Sequence, residues 1–202
     1  MTTKKSNMIQ CFGSGNPVRL FVAGLHGDEW ETTTSLLEQL SPPTTGTLLL
    51  MPKVSDNEYL STLDRDYYTT YAPHLREAIM MYKPSIYLEL HCYSRESYLA
   101  LVGDGRFERY GVPAYIEIAA GILMGSVSPR VRKDFFTPDD LCVSFEMPKN
   151  PSEQSLDVIR YLLDVVKKCW SRQGFVAYMA QHYPEQTAVA VKNYLQFYGH
   201  LY

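Results

Sequence analysis

The chain has 202 residues, of which 46% are hydrophobic and 20% charged, and its formal net charge is −3. This balance is typical of a globular protein, and it excludes the strongly basic character expected of a nucleic-acid-binding domain. A chain of this length buries enough surface to fold without disulfides or a structural metal. Because no run of about 18 apolar residues occurs, we expect no membrane span.

Hydrophobic patterning predicts that strands and helices alternate along the chain. The predicted strands cover residues 18–23, 47–51, 85–90, 97–102 and 141–147. The predicted helices cover residues 29–40, 72–82, 152–170, 175–183 and 185–198, whereas 52–71 is irregular and 112–129 fits no element clearly. This order predicts an α/β fold with helices flanking a mixed, largely parallel central sheet. We expect one domain over residues 1–202, with 171–202 as a C-terminal helical extension.

The cysteines and the first residues bear on the compartment. No C-x-x-C pair occurs among the four cysteines, so a cysteine zinc site is not expected. Residues 1–7 are polar and lack the pattern of a secretory signal. We therefore expect a cytoplasmic protein with reduced thiols.

His26 and Glu29 lie where the first predicted strand gives way to the first helix, in the segment VAGLHGDEWE. Two intervening residues allow an imidazole and a carboxylate to face one cation from the same side. Gly24 and Gly27 permit the tight backbone that this requires. The alternative is a helix N-terminus with an acidic residue in its first turn.

His91 follows the third predicted strand, and the carboxyl ends of parallel strands are where ligands gather. Together with His26 and Glu29 it completes a catalytic zinc set that leaves one coordination position open. Glu89 lies two residues earlier on the same strand face, and we expect it to orient a ligand ring. A rim histidine and a buried ion pair are the alternatives for His91 and Glu89.

Glu146 ends the last predicted strand, in the segment VSFEMPK. A carboxylate at the end of an apolar strand is costly unless it is solvated or used. A zinc hydrolase needs such a group beside the metal, where it takes a proton from water and passes it to the leaving amine. An acid that caps the following turn is the alternative.

At these three motifs the sequence resembles the zinc carboxypeptidases and the related aspartoacylase and succinylglutamate desuccinylase group. The segments HGDE, ELHCYS and FEMP occur in the order and approximate spacing of that superfamily. The whole chain also resembles a compact, uncharacterised archaeal branch found in methanogens. The resemblance implies a mixed eight-stranded sheet between helices, with Zn²⁺ held by His26, Glu29 and His91 and Glu146 as the catalytic base.

The resemblance also implies that the segment STLDRDYY holds the substrate carboxylate, because the superfamily carries Asn-Arg there. Arg65 matches the arginine, and Asp64 stands where asparagine is expected. A guanidinium suits a carboxylate because it binds both oxygens. A surface arginine paired with a neighbouring aspartate is the alternative.

The sequence departs from the superfamily in one catalytic feature. An earlier arginine that stabilises the oxyanion has no counterpart, and Arg95, Arg130 and Arg132 are the candidates to replace it from other loops. Such a donor is worth about 10²–10³ in rate. Tyr93, Arg95 and the segment GSVSPRVRK (residues 125–133) are predicted to line the pocket, although GSVSPRVRK also fits a solvated basic loop.

These observations predict a hydrolase that cleaves an amide bond next to a carboxylate, in an N-acyl amino acid or at the C-terminal residue of a peptide. The expected partner is thus a small molecule or peptide bearing a carboxylate, with no nucleic acid and no membrane, and a homo-oligomer is left open. The missing arginine favours the alternative, a non-catalytic zinc- or ligand-binding member of the same fold.

Overall fold

The computed structural model describes residues 9–55 and 59–199. Within them, seven strands form one sheet: β1 (Gln10–Ser14), β2 (Val18–Ala23), β3 (Gly46–Met51), β4 (Ile86–Tyr93), β5 (Ile116–Ala119), β6 (Ile122–Gly125) and β7 (Leu141–Pro148). The helices are α1 (Trp30–Glu38), α2 (Pro73–Tyr82), α3 (Tyr98–Val102), α4 (Arg106–Tyr110), α5 (Pro129–Phe135), α6 (Glu153–Lys168), α7 (Arg172–His182) and α8 (Pro184–Tyr198). A π-helical turn (Tyr67–Tyr71) precedes α2, and a short 3₁₀ turn (Arg95–Ser97) precedes α3.

The sheet is mixed, with a parallel centre and antiparallel edges. Its strand order is β1-β3-β2-β4-β7-β6-β5. Strands β3, β2, β4 and β7 run parallel, whereas β1, β6 and β5 join antiparallel. The central strands are nearly continuous apolar sequences because helices cover both of their faces. The predicted α/β class with a mixed, largely parallel sheet is therefore confirmed.

Two hydrophobic layers, one on each face of the sheet, hold the helices. On one face, side chains of α1, α6 and α7 pack against the strands, among them Leu37, Leu163 and Phe175. On the other face, α2, α5 and the π-helical turn contribute Ile79, Val131 and other apolar side chains. Towards the carboxyl ends of β4 and β7 the buried side chains include the polar residues Glu89, His91 and Glu146.

Several local predictions were wrong or incomplete. Residues 97–102 (SYLALV), predicted as a strand, form the short helix α3, because an apolar run of this length has no period that separates strand from helix. Strand β1, helix α4 and helix α5 were not predicted, and 112–129 contains β5 and β6. The resemblance implied a sheet of eight strands, and the part of the chain that the structure describes contains seven.

The region 171–202, predicted as a helical extension, contains α7 and α8 within its described part. Phe175 and Met179 of α7 belong to the same apolar layer as the sheet strands. The prediction about residues 1–7 lies outside the described residues. No helix among the described residues has the length and apolar character needed to cross a membrane.

Candidate metal centre

The loop after β2 brings His26 to the carboxyl edge of the sheet. Gly24 and Gly27 have φ angles of +58° and +57°, in the left-handed region that side chains other than glycine's rarely adopt. At Gly24 a Cβ would lie 2.7 Å from the Trp30 Cβ, so the chain passes too close for any larger residue. This turn places His26 directly before α1, and the Leu25 carbonyl accepts a hydrogen bond from the Tyr67 hydroxyl.

Glu29 lies at the start of α1 with its carboxylate turned back towards the sheet. Its Oε1 accepts a hydrogen bond from the backbone N–H of Cys92 at 3.2 Å, and its Oε2 accepts one from the backbone N–H of His26 at 3.4 Å. The residue is 4% exposed. Two backbone donors therefore fix the orientation of this buried carboxylate.

Three side chains from separate parts of the chain converge here. The Nδ1 atoms of His26 and His91 lie 3.4 Å and 3.3 Å from Glu29 Oε1, and the ligand atoms of the three residues all lie within 4.8 Å of one another. Ligand atoms about 2.0–2.1 Å from a tetrahedral zinc are separated by about 3.3 Å. Both separations from Glu29 thus fit a shared metal ion, and the predicted set His26, Glu29 and His91 is brought together.

The electrostatics of the cluster favour a cation. Burial lowers the pKa of His26, so its imidazole is held neutral, as a metal ligand must be. At His91 burial also acts to lower the pKa, but the Glu29 carboxylate and then Glu89 outweigh it and raise the pKa well above its usual range. Positive charge is therefore stabilised between these carboxylates, whether a proton or a metal carries it.

Glu89 lies directly behind His91. Its Oε2 lies 3.3 Å from His91 Nε2, the ring nitrogen on the side away from Glu29. Its Oε1 accepts hydrogen bonds from the hydroxyls of Tyr68 at 3.0 Å and Tyr87 at 2.8 Å. With His91 Nε2 protonated and hydrogen-bonded to Glu89, Nδ1 is left as the ligand atom, so Glu89 has the geometry expected of a group that orients a ligand ring.

We expect Glu89→Gln to lower zinc affinity by about 10- to 100-fold without changing the number of zinc ions bound, because outer carboxylates have effects of this size. Isothermal titration against a competing chelator measures the affinity. Glu117→Gln, at an exposed acid on β5, is the control and should bind zinc as the wild type does. Unchanged affinity in Glu89→Gln would show that Glu89 does not support His91.

Glu146 lies beside His91 because β4 and β7 are paired in parallel with these two residues in register. Its side chain is buried, and its Oε2 has no hydrogen-bond partner among the described residues. Burial raises the pKa of Glu146 to about 7. The positive charge of His91 opposes this rise, and the negative charge of Glu29 reinforces it. A carboxyl group that changes protonation near pH 7 next to a metal site is suited to proton transfer.

In the metal-free protein, Glu146 should make stability fall as pH rises. Its pKa is about 7 when folded against an ordinary value of 4.5, so its stabilisation is complete below about pH 4.5 and is lost as pH rises through 7. Relative to Glu146→Gln, we expect the wild type's free energy of unfolding to fall by about 3 kcal/mol between pH 4.5 and 8. Urea unfolding in the presence of a chelator measures the difference, and a constant difference would contradict the assignment.

A cavity of about 580 Å³ opens above the cluster, a size typical of small-molecule sites. Among the described residues, three buried side-chain atoms lack a hydrogen-bond partner: His26 Nδ1, Glu146 Oε2 and Arg106 Nε. All three residues line this cavity. Unpartnered buried polar groups are rare in folded proteins, so their concentration in one cavity indicates a place built for a ligand.

The structure does not bring Asp64 and Arg65 into the cavity. Both side chains are exposed, and neither lines the cavity wall. The Asp64 carboxylate instead accepts a hydrogen bond from the Asp66 backbone N–H at 2.9 Å, which closes a local turn. The substrate-binding role predicted for these two residues therefore has no support from the geometry.

Tyr93 and Arg95 take different positions from each other. Tyr93 lines the cavity, but its hydroxyl donates to the Gly121 carbonyl at 2.6 Å. Arg95 is exposed in the 3₁₀ turn and lines a neighbouring depression instead. Of the segment 125–133, Ser126 and Ser128 reach the cavity, and most of the remainder forms α5.

The other arginines considered as replacements also lie elsewhere. Arg130 lines an adjoining surface depression. Arg132 is 1% exposed and donates to the Tyr194 hydroxyl at 3.3 Å. The arginine that does line the cavity is Arg106, which sequence reasoning missed because the segment GDGRFERY matches no known motif. Tyr87, by contrast, could have been found, since strand alternation places it on the same face as Glu89.

The fold and the cluster define a class of protein: a mixed α/β sheet whose carboxyl edge carries two histidines and a glutamate able to hold one metal ion. The chain belongs to the family DUF2119, described as an uncharacterized protein conserved in archaea, which matches residues 14–199. Among its relatives, the uncharacterized protein MJ0501 of Methanocaldococcus jannaschii is 32% identical over 179 residues. That alignment covers 85% of this chain and 87% of the relative. The expected archaeal affiliation is thus confirmed.

Solved structures similar to this chain include two metallo-carboxypeptidases. One, from Pseudomonas aeruginosa in complex with (2-guanidinoethylmercapto)succinic acid, has a TM-score of 0.39 at 12% identity, covering 78% of this chain and 61% of that one. The other, from Burkholderia cenocepacia, has a TM-score of 0.42 at 12% identity, covering 79% and 60%. The chain therefore spans about 60% of the length of these enzymes, and a likeness this distant does not establish a shared activity.

Proposed function

We propose that this protein is a zinc-dependent hydrolase of the carboxypeptidase and aspartoacylase superfamily that cleaves an amide bond next to a carboxylate. The observation that carries the proposal is that His26 Nδ1 and His91 Nδ1 lie 3.4 Å and 3.3 Å from the same oxygen, Glu29 Oε1. Glu146 lies on the strand next to His91 with one carboxylate oxygen unpartnered. Ligands and base thus come from three parallel strands that end at the same edge.

Zinc fits this donor set better than magnesium or calcium. Two imidazoles and one carboxylate are a common catalytic zinc set, whereas magnesium and calcium prefer oxygen ligands alone. When bound, zinc would lower the pKa of a water molecule to about 7 and polarise the scissile carbonyl. The cavity above the three side chains leaves room for a substrate on the open side.

Glu146 is the residue proposed to move the proton. Its place on the strand next to His91, with one carboxylate oxygen unpartnered, would let it accept a proton from the attacking water and then donate it to the leaving amine. The buried position, which raises the pKa, also keeps bulk water from competing for the proton. Glu89, Tyr68 and Tyr87 hold His91 in place during these steps.

The proposed substrate is an N-acyl amino acid or a peptide with a free C-terminus, and the proposed compartment is the cytoplasm. The test is hydrolysis of a panel of N-acetyl, N-succinyl and dipeptide substrates by protein loaded with one zinc per chain. We expect turnover that a chelator abolishes and that added zinc restores. No turnover on any member, with zinc bound, would refute the proposal.

A non-catalytic role has one observation in its favour. The arginine predicted to hold the substrate, Arg65, lies outside the cavity. A zinc- or ligand-binding protein of the same fold would bind members of the panel saturably without hydrolysing them. The same panel therefore separates the two functions, provided that binding is measured alongside turnover.

A further inference from the structure

Arg106 carries the third of the buried unpartnered atoms in the cavity, and the proposed chemistry gives it no role. His26 Nδ1 would be a metal ligand and Glu146 the base, but Arg106 Nε donates no hydrogen bond within the described residues. Within residues 9–55 and 59–199, its guanidinium donates a single long hydrogen bond, 3.4 Å from Nη1 to the Ala100 carbonyl. No ion pair involving Arg106 occurs in the described part of the chain.

Two aromatic rings hold the Arg106 guanidinium at the cavity wall. Its central carbon lies 5.1 Å from the centroid of the Tyr115 ring and 5.6 Å from that of Tyr110. Tyr115 is itself anchored, because its hydroxyl lies 2.9 Å from the Ser144 hydroxyl on β7. Cation–π contacts of this kind orient a guanidinium without neutralising its charge. The rings thus hold the Arg106 side chain in position, while its Nε–H remains able to donate a hydrogen bond to a ligand.

The cavity is lined by acidic side chains, so binding an anionic substrate there requires a cationic group. Glu29, Glu89 and Glu146 all line it, and three carboxylates would repel an anionic substrate. A divalent metal would offset the charge of two of them near His91. Lys149 at the rim is already paired with Asp28. Among these groups, Arg106 therefore remains as the charge available to attract an anion.

We propose that Arg106 binds the carboxylate of the substrate and makes the site selective for acids over their neutral analogues, in place of the arginine predicted at position 65. A guanidinium matches a carboxylate with two parallel hydrogen bonds, and Nε is one of the donors in such a fork. This inference rests on the proposed function for its turnover measurements, but binding tests it independently.

The experiment compares Arg106→Met with Arg109→Met, which removes an exposed arginine from the same helix. Each zinc-loaded variant is assayed on N-acetyl amino acids and on the matching carboxamides. We expect Arg106→Met to lower kcat/KM for the acids by about 10- to 100-fold, mainly through KM, and to leave the carboxamides unchanged. Arg109→Met should match the wild type on both, and zinc content and thermal unfolding check that each variant is folded.

Calorimetric titration with succinate tests the same residue without turnover. The wild type and Arg109→Met should bind succinate with equal affinity, and Arg106→Met at least about 10-fold more weakly. Arg106-dependent binding without hydrolysis would uphold this inference while refuting the hydrolase. Succinate binding that does not depend on Arg106 would overturn it. An equal loss of kcat on acids and carboxamides would also overturn it, because Arg106 would then act on the reacting carbonyl.

Discussion

Glu146→Gln should reduce hydrolysis by about 10²–10⁴-fold, the usual contribution of a general acid–base group, while one zinc remains bound per chain. Glutamine keeps the size of the side chain but cannot accept a proton. The metal ligands come from other residues, so their geometry should be unchanged. Initial rates on the best substrate of the panel, together with zinc content from atomic emission, measure both parts of this prediction.

The control for this variant is Glu153→Gln, which removes an exposed carboxylate from the first turn of α6. It should retain wild-type turnover. If Glu146→Gln also retains turnover within a few fold, Glu146 is not the base. If Glu146→Gln loses zinc together with activity, Glu146 acts as a metal ligand, which would contradict the proposed division of roles.

His91→Ala should have the largest effect on the metal. It removes one of three ligands, so we expect zinc affinity to fall by more than the about 10- to 100-fold that is typical of an outer group such as Glu89. Competition with a fluorescent chelator measures the affinity. Turnover should disappear at zinc concentrations that saturate the wild type.

His91 is 3% exposed, so its removal leaves Glu29 and Glu89 buried without their partner and also lowers stability. His26→Ala therefore serves as a second variant, because the His26 side chain is 13% exposed and its loss disturbs the core less. Both variants should lose zinc. His182→Ala, at an exposed histidine of α7, should bind zinc normally. Undiminished affinity in both ligand variants would remove the basis for the metal centre.

The site residues that could be predicted from the sequence are those that lie at or just after the ends of predicted strands. His26, His91 and Glu146 each follow or end an apolar run, and parallel strands that end at one edge must bring such residues together. Short-range patterning was sufficient here because each strand is buried on both faces and stands out as an apolar run, although β4 (Ile86–Tyr93) continues beyond its predicted end at residue 90 and includes His91.

Positions that depend on loops could not be derived in the same way. Arg65 was assigned from a motif, yet its turn directs it to solvent, whereas Arg106 reaches the cavity from a five-residue helix without any signature. The segment 97–102 shows the same limit, since its helix is too short for a 3.6-residue period to appear. Tertiary packing, and not local preference, fixes such segments.

The π-helical turn Tyr67–Tyr71 supplies no metal ligand, yet it contacts the residues that support His26 and His91. The Tyr67 hydroxyl reaches the carbonyl just before His26, and the Tyr68 hydroxyl reaches the carboxylate behind His91. Because both tyrosines come from adjacent positions of one turn, the supports of the two histidines depend on the same short segment. A substitution that loosens this turn is therefore expected to weaken zinc binding through both histidines at once, although the turn itself provides no ligand.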